Sequence, residues 1–210
     1  TQGVSSAASD VYKRQKEEIE PMSNVAFCTL FLIFFSFMAF SQVEQQKYIV
    51  INNIDEVEIR NYPPAIYASV TLDQTNNNSL FRILAGYIFG GNNDNQKIAM
   101  TAPVHMEEIN NGTNESVTMK FVMPSEFDLN DLSKPDDPRI EMFKSDEKKY
   151  AAISYSGYNN QVKFIKYSQK LRDALLENNL SFTDNPIYLG YDAPYKFWNR
   201  KNEVLFELND

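Results

Sequence analysis

Hydrophobic and polar residues follow two periodicities along the chain after residue 42. Alternation with a period of two predicts β-strands, and apolar positions three or four residues apart predict helices. The predicted strands cover residues 48–59, 65–72, 97–107, 116–123, 140–144, 149–158, 186–191 and 203–208, and the predicted helices cover residues 80–89 and 159–177. Serine favours helix N-caps and glycine favours C-caps, so the first helix is expected to follow Ser79 and to end at Gly90 and Gly91.

The order of these elements occurs twice along the chain. Two segments of the first half resemble two of the second half: Tyr67-Ala68-Ser69-Val70 resembles Tyr150-Ala151-Ala152-Ile153, and Ala102-Pro103 resembles Ala193-Pro194. We therefore predict an internal repeat, with units of about residues 48–125 and 139–209 that each contain strands, one helix and further strands. Such units indicate an α+β fold, in which two main α-helices cover one face of a distorted antiparallel β-sheet or barrel.

The two predicted helices differ in their hydrophobic pattern. In the second helix the apolar residues form one stripe, which consists of Phe164, Tyr167, Leu171 and Leu175. This stripe is typical of a helix that packs on a core with one side. In the first helix apolar residues surround the axis, and Arg82 is the only charged residue. Either this helix is buried on every side or part of its apolar surface binds a ligand, and the sequence leaves both interpretations open.

The first forty residues are predicted to lie outside the folded domain. Residues 25–40 form an apolar run that starts three residues after Met22, and Ala39 and Ser41 provide small residues before Gln42. This pattern is typical of a secretory signal peptide over residues 22–41, so export to the periplasm or out of the cell is expected. A membrane anchor over residues 25–40 is the alternative, and residues 1–21 are interpreted as a non-native or disordered extension. Residues 42–210 are predicted to form a single domain.

Charge and composition narrow the classes of partner. The chain has 210 residues, a net charge of −8 at pH 7 and 43% hydrophobic residues, so one domain can bury a substantial core. An acidic protein without a lysine and arginine cluster lacks the basic surface that nucleic acids require. We therefore expect a small-molecule ligand, no nucleic acid, and no membrane contact except through residues 25–40.

No catalytic or zinc-binding set of residues is evident in the sequence. The chain has one histidine, His105, and one cysteine, Cys28, which lies in the predicted signal peptide. A serine-type triad needs a histidine with serine and acid partners, and a zinc site needs three or four ligands. The sequence therefore predicts a binding protein rather than an enzyme.

His105 has two interpretations. It is either a structural side chain that is hydrogen bonded to a neighbour or to water, or an axial ligand of haem iron, since such ligands are His, Cys, Met or Tyr. Met100 and Met106 are further candidate ligands, although methionine near a helix often only fills the core. Arg82 is either a surface arginine or the partner of a ligand carboxylate, such as a haem propionate.

Three segments of the chain resemble motifs of one known family. The segment Lys97-Ile98-Ala99-Met100-Thr101-Ala102-Pro103-Val104 resembles the most recognisable motif of the SOUL haem-binding protein family. Arg200-Lys201-Asn202-Glu203-Val204 resembles the Arg-x-Asn-Glu-Val strand near the C-terminus of that family, and Tyr62-Pro63-Pro64-Ala65 also fits it. The resemblance spans about residues 48–208.

This resemblance implies a duplicated α+β, barrel-like fold that binds haem or a related tetrapyrrole non-covalently beside the first helix, for carriage, buffering or sensing. The ligand-contacting residues expected from it are Leu80, Arg82, Ile83, Leu84, Tyr87, Ile88 and His105, with His105 as the candidate metal ligand. The fold is also similar to the effector-binding domains of multidrug-sensing regulators, so a sensor of other planar hydrophobic molecules is an alternative. An enzyme that acts on tetrapyrroles is a third interpretation.

Overall fold

A computed structural model describes residues 43–73, 77–110, 115–193 and 195–209 of the chain. The chain from Val43 onwards forms one unit with its own cores. The predicted extension over residues 1–21, the signal peptide over 22–41 and the alternative anchor over 25–40 lie outside the described residues. No helix in the described part of the chain has both the length and the apolar character that a membrane crossing needs.

The described residues contain eleven β-strands, two α-helices and one short 3-10 helix. The strands are β1 (Glu44–Gln45), β2 (Ile49–Ile54), β3 (Val57–Tyr62), β4 (Ile66–Asp73), β5 (Thr101–Ala102), β6 (Val104–Asn110), β7 (Glu115–Val122), β8 (Ile140–Lys144), β9 (Lys148–Ser156), β10 (Ile187–Gly190) and β11 (Lys201–Glu207). The helices are α1 (Asn77–Ile88) and α2 (Gln161–Glu177), and the 3-10 helix is Leu129–Asp131.

Nine strands form one sheet in the order β2-β3-β9-β11-β10-β6-β7-β4-β8. Every neighbouring pair in it is antiparallel, while β1 and β5 form a separate parallel pair. Among the described residues β2 and β8 are the two edges, so the sheet does not close into a barrel. The predicted α+β fold, with a distorted antiparallel sheet and two main helices, is confirmed. The internal repeat stays a prediction.

Both helices pack on the same face of this sheet. α1 contacts β4 and β7, and α2 contacts β9 and β11. Paired residues of neighbouring strands point to the same face, and Tyr188 of β10 pairs with Met106 of β6. Tyr188 packs in the core beneath α2, and Met106 packs in the core beneath α1. We call this side of the sheet the helix face and the opposite side the helix-free face.

Apolar side chains form two cores on the helix face and one on the helix-free face. The α1 core includes Leu80, Leu84, Tyr87, Ile88, Ala68, Val70, Met119 and Phe121. The α2 core includes Leu171, Leu175, Val57, Ile59, Ala151, Ile153, Val204 and Phe206. The third core consists of Tyr62, Ala152, Ile187, Leu189 and Leu205. Successive buried residues of β9 and β11 therefore alternate between the α2 core and the core of the helix-free face.

The main differences from the sequence prediction lie at strand breaks. The single strand predicted over residues 48–59 is instead divided between β2 and β3, which form a hairpin. Asp55 lies in the turn with a φ of 50°, a left-handed conformation that aspartate tolerates better than most residues. Residues 97–107 divide into β5 and β6 at Pro103, which has no backbone N–H for a continuous ladder. The two-residue strand β1 is too short to show a periodicity in the sequence.

A buried ion pair joins β3 to β11 on the helix-free face. The Arg60 guanidinium donates two hydrogen bonds of 2.8 Å to the two carboxylate oxygens of Glu203, and both side chains are buried. Tyr191 and Ser154 also donate to this carboxylate, at 2.6 and 2.8 Å. Burial alone would raise the pKa of Glu203, but the Arg60 hydrogen bonds and charge outweigh burial and lower it to about 2.

We predict that Glu203→Gln destabilises the fold, because the substitution removes the buried counter-charge of Arg60 and leaves only the partly exposed Glu58 carboxylate, at 2.7 Å, to pair with it. The expected loss is about 3–5 kcal/mol in the free energy of unfolding at pH 7, measured by urea denaturation. The folded-state pKa of Glu203 lies below its ordinary value of 4.5, so its contribution is complete above pH 4.5 and is lost as the pH falls towards about 2. The difference between wild type and variant should therefore shrink over that range.

Glu207→Gln is the matched control for this prediction. The Glu207 carboxylate lies at the end of the same strand and pairs with Lys148, and both of these side chains are partly exposed. Its expected loss is about 1 kcal/mol or less. Equal losses for the two variants would contradict a special role of the buried pair.

Candidate functional site

The α1 residues that were predicted to contact a ligand divide into a buried and an accessible set. The buried set consists of Leu80, Leu84, Tyr87 and Ile88, which pack in the α1 core and offer a ligand little surface. Arg82 is exposed and Ile83 is half-buried. The phenylalanines Phe81 and Phe89 are also exposed. α1 is therefore not enclosed on every side, and part of its apolar surface is accessible.

Another part of the α1 surface, which does not include Phe81 or Phe89, lines a groove that we call the α1 groove. Its lining residues are Leu72, Ser79, Arg82, Ile83, Gly86, Tyr87, Gly91, Asp136, Asp137, Arg139 and Ile140. The residues of α1 form one wall, and the segment that leads into β8 forms the other. The volume of about 600 Å³ is within the range of small-molecule binding sites.

Two glycines shape this groove. Gly86 is exposed in the middle of α1, and an added Cβ there would meet no heavy atom within 4 Å. At the end of α1 the N–H of Gly90 donates to the Tyr87 carbonyl at 3.2 Å and the N–H of Gly91 donates to the Gly86 carbonyl at 2.9 Å. With a φ of 110° at Gly90, these bonds form a Schellman C-cap, which confirms the predicted helix end. A Cβ at Gly91 would lie 2.8 Å from the Gly86 carbonyl oxygen, so this close approach requires glycine.

Two arginines line the groove, and they differ in their partners. Arg139 donates to both carboxylate oxygens of Asp137, at 2.9 and 2.6 Å, and these bonds lower the pKa of Asp137 to about 2. Arg82 makes no ion pair with any residue within the described ranges. Arg82 is therefore the cation of this groove that can pair with the carboxylate of a ligand.

His105 lies on the helix-free face of the sheet. Its neighbours in β6, Val104 and Met106, pack against the α1 core, so strand alternation directs His105 away from α1. The ring of His105 packs edge-on against Tyr67 of β4, with 5.4 Å between the ring centroids. It lines a second pocket, of about 410 Å³, together with Tyr62, Tyr67, Phe143 and Tyr150.

The imidazole of His105 is buried and hydrogen bonded. Its Nε2 lies 2.8 Å from Oε1 of Gln46, and the amide of Gln46 also donates to the Tyr67 hydroxyl at 2.6 Å. Burial, together with the positive charge of Lys120, lowers the pKa of His105 to about 3. The ring is therefore neutral at pH 7 and has the environment of a structural histidine.

The structure corrects the grouping of His105 with α1 in one site. The sheet separates the two, because His105 is on the helix-free face and the α1 groove is on the helix face. One flat ligand in the α1 groove cannot also contact His105. Met100 and Met106 pack against the α1 core as fillers. Within the part of the chain that the structure describes, no cluster of three or more His, Cys, Asp or Glu side chains could hold a metal ion.

The motif residues have structural roles in the folded domain. Thr101 donates from its hydroxyl to the Val122 carbonyl at 2.5 Å. The buried Asn202 side chain donates to the Gly157 carbonyl at 2.8 Å and accepts from the Tyr188 hydroxyl at 2.8 Å. Glu203 pairs with Arg60, as described above. These motif residues therefore support the architecture of the domain.

Sequence reasoning missed three features around the two pockets. Gly86 is the clearest, since glycine in a helix interior is less favourable than alanine by about 1 kcal/mol, and no neighbouring atom within 4 Å requires a glycine here. The segment from Asp136 to Arg139 was treated as a linker, although it forms a wall of the α1 groove. Gln46 contacts His105 from a strand of two residues, and no local pattern indicates this contact.

The sequence is similar to known haem-binding proteins. The sequence model described as SOUL heme-binding protein matches residues 43–207. The chain belongs to the SOUL heme-binding protein family. This SOUL family member is 31% identical to heme-binding protein 2 of Mus musculus over 167 residues, which cover 73% of this chain and 78% of that protein. It is 26% identical to heme-binding protein 1 of Xenopus tropicalis over 141 residues, which cover 66% and 73%.

Solved structures show the same fold at low sequence identity. The C-terminal domain of EcmrR has a TM-score of 0.55 at 13% identity, with 73% of this chain and 97% of that chain covered. An uncharacterized conserved protein from Listeria innocua also has a TM-score of 0.55, at 10% identity, with 73% and 92% covered. At these identities the likeness extends to the fold alone.

We predict that His105 makes the fold sensitive to mild acid. Its folded-state pKa is lowered from 6.5 to about 3, so between these values the unfolded chain binds a proton that the folded chain does not. Stability from this source is complete above pH 6.5 and is lost as the pH falls. Between pH 6.5 and 5 the wild type should lose roughly 1–2 kcal/mol in the free energy of unfolding through this group.

His105→Gln should remove this fall in the free energy of unfolding between pH 6.5 and 5, whatever the stability of the variant at pH 7. Urea denaturation of both proteins at each pH measures the difference. His105 is the only histidine of the chain, and carboxylates titrate mainly below this range. An unchanged slope in the variant would show that the imidazole is not buried in its neutral form.

Proposed function

We propose that this SOUL family member binds haem or a related tetrapyrrole non-covalently in the α1 groove. The observation that carries the proposal is the groove beside α1, where the apolar side chains of Leu72, Ile83 and Ile140 lie with Arg82, an arginine that no described residue neutralises. Relatives from Mus musculus and Homo sapiens, each 31% identical, are named heme-binding protein 2, and this kinship supports the same ligand class here.

The lining of the groove suits a flat, largely apolar ligand. Leu72, Ile83 and Ile140 supply apolar side chains, and Gly86 leaves the helix surface without a projecting side chain. Covering one porphyrin face removes roughly 600 Å² of apolar surface from water, which contributes about 15 kcal/mol at about 25 cal/mol per Å². Association itself costs about 4–15 kcal/mol. Face packing alone therefore gives anything from negligible to tight binding, and a charge pair with Arg82 would strengthen it.

Arg82 is placed to hold a propionate in this proposal. Among the described lining residues, Tyr87 alone belongs to the residue types that ligate haem iron, and its hydroxyl donates to the Ser133 carbonyl at 3.0 Å. Binding would thus rest on the porphyrin face and its carboxylates, without an axial histidine. A bound haem supplies a redox-active iron, while the chain supplies the surface that holds it. The role we propose is carriage, buffering or sensing, and not catalysis.

Haemin titration tests this proposal through the Soret absorption band. We expect a saturable shift of the band at micromolar protein. Gly86→Phe should weaken haemin binding by about tenfold or more. The phenyl ring would fill part of the groove, so the porphyrin would lose apolar contact with α1. Gly86→Ala is the matched control, since its methyl group meets no neighbouring atom. It should retain binding, and unfolding measurements on both variants verify their fold.

Three outcomes of this titration discriminate among the interpretations. No saturable shift in the wild type would contradict haem binding itself. Equal affinities of Gly86→Phe and Gly86→Ala would place the ligand elsewhere. A His105→Gln variant should leave the Soret spectrum unchanged, and a changed spectrum would mean that His105 ligates the iron.

The pocket on the helix-free face favours a second candidate function, the binding of other planar hydrophobic molecules. Tyr67 and Phe143 stack there at 5.6 Å, and Tyr62 and Tyr150 meet edge-on at 5.4 Å. Aromatic surfaces of this kind bind flat ligands. Hydrophobic dyes that bind as tightly as haemin, and that lose affinity in Phe143→Ser but not in Gly86→Phe, would support this function over the first.

We also propose that the domain is exported and functions after export. The apolar run over residues 25–40 and the small residues before Gln42 support this localisation. Expression of the whole chain with its N-terminal segment should yield an extracytoplasmic product whose N-terminal sequence begins at Gln42. A product that retains residues 25–40 in the membrane fraction would support the anchor instead, and a cytoplasmic product would contradict export.

A further inference from the structure

The nine-stranded sheet curves around its helix-free face. β8 ends at Lys144 and β9 begins at Lys148, so residues 145–147 alone connect them. Five strands separate β8 from β9 in the sheet, which would place these two strands about 29 Å apart if the sheet were flat. The connection spans at most about 14 Å, and Tyr62 near one edge of the sheet lines the same pocket as Phe143 at the other. The pocket on the helix-free face therefore lies between the two ends of a curved sheet.

Each end of the curved sheet contributes a pair of aromatic rings to this pocket. Tyr67 of β4 and Phe143 of β8 stack, with 5.6 Å between their centroids and 20° between their planes. Tyr62 of β3 and Tyr150 of β9 meet edge-on at 5.4 Å. Burial raises the pKa of Tyr67 to about 12 and also raises the pKa values of Tyr62 and Tyr150, so all three hydroxyls are uncharged at pH 7. The rings offer a flat ligand apolar contact from two sides.

The charged side chains that line the pocket balance one another. They are three lysines and three acids, namely Lys120, Lys144, Lys148, Glu107, Asp146 and Glu207. Lys120 pairs with Glu107 at 2.5 Å, and Lys148 pairs with Glu207 at 2.6 Å. The other two, one lysine and one aspartate, are exposed and have opposite charges. With His105 neutral at pH 7, the lining has no net charge.

The charges behind the pocket on the same face are also paired. Arg60 contacts the carboxylates of Glu203 and Glu58, and Lys201 also contacts Glu203, at 3.1 Å. These two cations and two anions add no net charge. A charged ligand in this pocket would therefore lose hydration without gaining a counter-charge that lacks a partner inside the pocket. An uncharged aromatic ligand avoids this cost and gains the same ring contacts.

We propose that the pocket on the helix-free face selects uncharged, flat aromatic molecules, and that the Lys120–Glu107 and Lys148–Glu207 ion pairs set this selectivity. The inference rests on the second candidate function proposed above, and it adds the charge of the ligand and the residues that decide it. It does not depend on haem binding in the α1 groove, because the sheet separates the two sites.

Three naphthalene probes of similar size test this selectivity at pH 7. They are 2-naphthol, which is uncharged, 2-naphthoate, an anion, and 2-naphthylmethylammonium, a cation. Equilibrium dialysis against the full chain measures the affinity of each probe. We expect 2-naphthol to bind about tenfold or more tightly than either charged probe, because each ion gives up hydration without a free counter-charge.

Phe143→Ser identifies the part of the binding that belongs to this pocket. It should weaken 2-naphthol binding by about tenfold, since the ligand loses one aromatic wall. Phe81→Ser is the matched control, because Phe81 is a phenylalanine of similar exposure on α1, outside both pockets. It should bind 2-naphthol like the wild type. Circular dichroism verifies that both variants are folded.

Two further variants test the role of the ion pair. Lys120→Met leaves the Glu107 carboxylate, which is 14% exposed, without its cation, so the affinity for the cationic probe relative to the anionic probe should rise about tenfold. Glu107→Gln should shift this ratio in the opposite direction. A common structural defect cannot produce opposite shifts. Lys170→Met is the matched control, since it removes the same charge from an exposed pair with Glu56 on α2.

The outcomes separate this inference from the function on which it rests. If no probe binds more tightly to the wild type than to Phe143→Ser, the pocket does not bind planar hydrophobic molecules at all. Equal affinities of the three probes, each lost in Phe143→Ser, would keep that function and overturn the charge selectivity. A wild-type preference for either charged probe would also overturn it. The same shift in Lys170→Met as in Lys120→Met would assign the effect to the overall charge of the protein.

Discussion

The alternation of side chains across a single antiparallel sheet determines which residues of this protein can act together. Both helices occupy one face, so each strand divides its residues between a helix-covered core and the helix-free face. In β6 the division separates His105 from Val104 and Met106, although the three are consecutive. A shift of one residue in the β6 register would exchange these environments and bury His105 beneath α1. The α1 groove and the pocket that contains His105 are therefore separate sites, because successive side chains of a strand point to opposite faces of the sheet.

The residues that identify the family mainly maintain this architecture. Glu203 of β11 and Arg60 of β3 connect the two strands through a buried bidentate pair. The side chain of the adjacent Asn202 hydrogen bonds to the Gly157 carbonyl and the Tyr188 hydroxyl. Buried polar groups are tolerated only when their hydrogen bonds are made, so each of these positions accepts few alternatives. The accessible side of α1 carries no such constraint, so its residues can vary while the fold is kept.

Three surfaces of the domain differ in what they offer a partner. The α1 groove combines apolar walls with Arg82 and an uncovered glycine. The pocket on the helix-free face contains four aromatic rings and a neutral histidine that Gln46 holds in place. The connection between β10 and β11 exposes the large rings of Tyr195, Phe197 and Trp198. The first two suit small flat molecules, whereas the third presents exposed aromatic side chains.

The class of fold, most element positions and the family could be predicted from the sequence, because they depend on local periodicity, on caps such as Gly90 and on motifs such as Arg200 to Val204. It also identified α1 as unusual, since its apolar residues surround the axis. The folded chain was needed to show which of them are accessible, that Gly86 and the segment before β8 line one groove, and that Gln46 contacts His105. These facts depend on strand register, on the face of the sheet and on contacts between residues distant in the chain, and a local pattern contains none of this information.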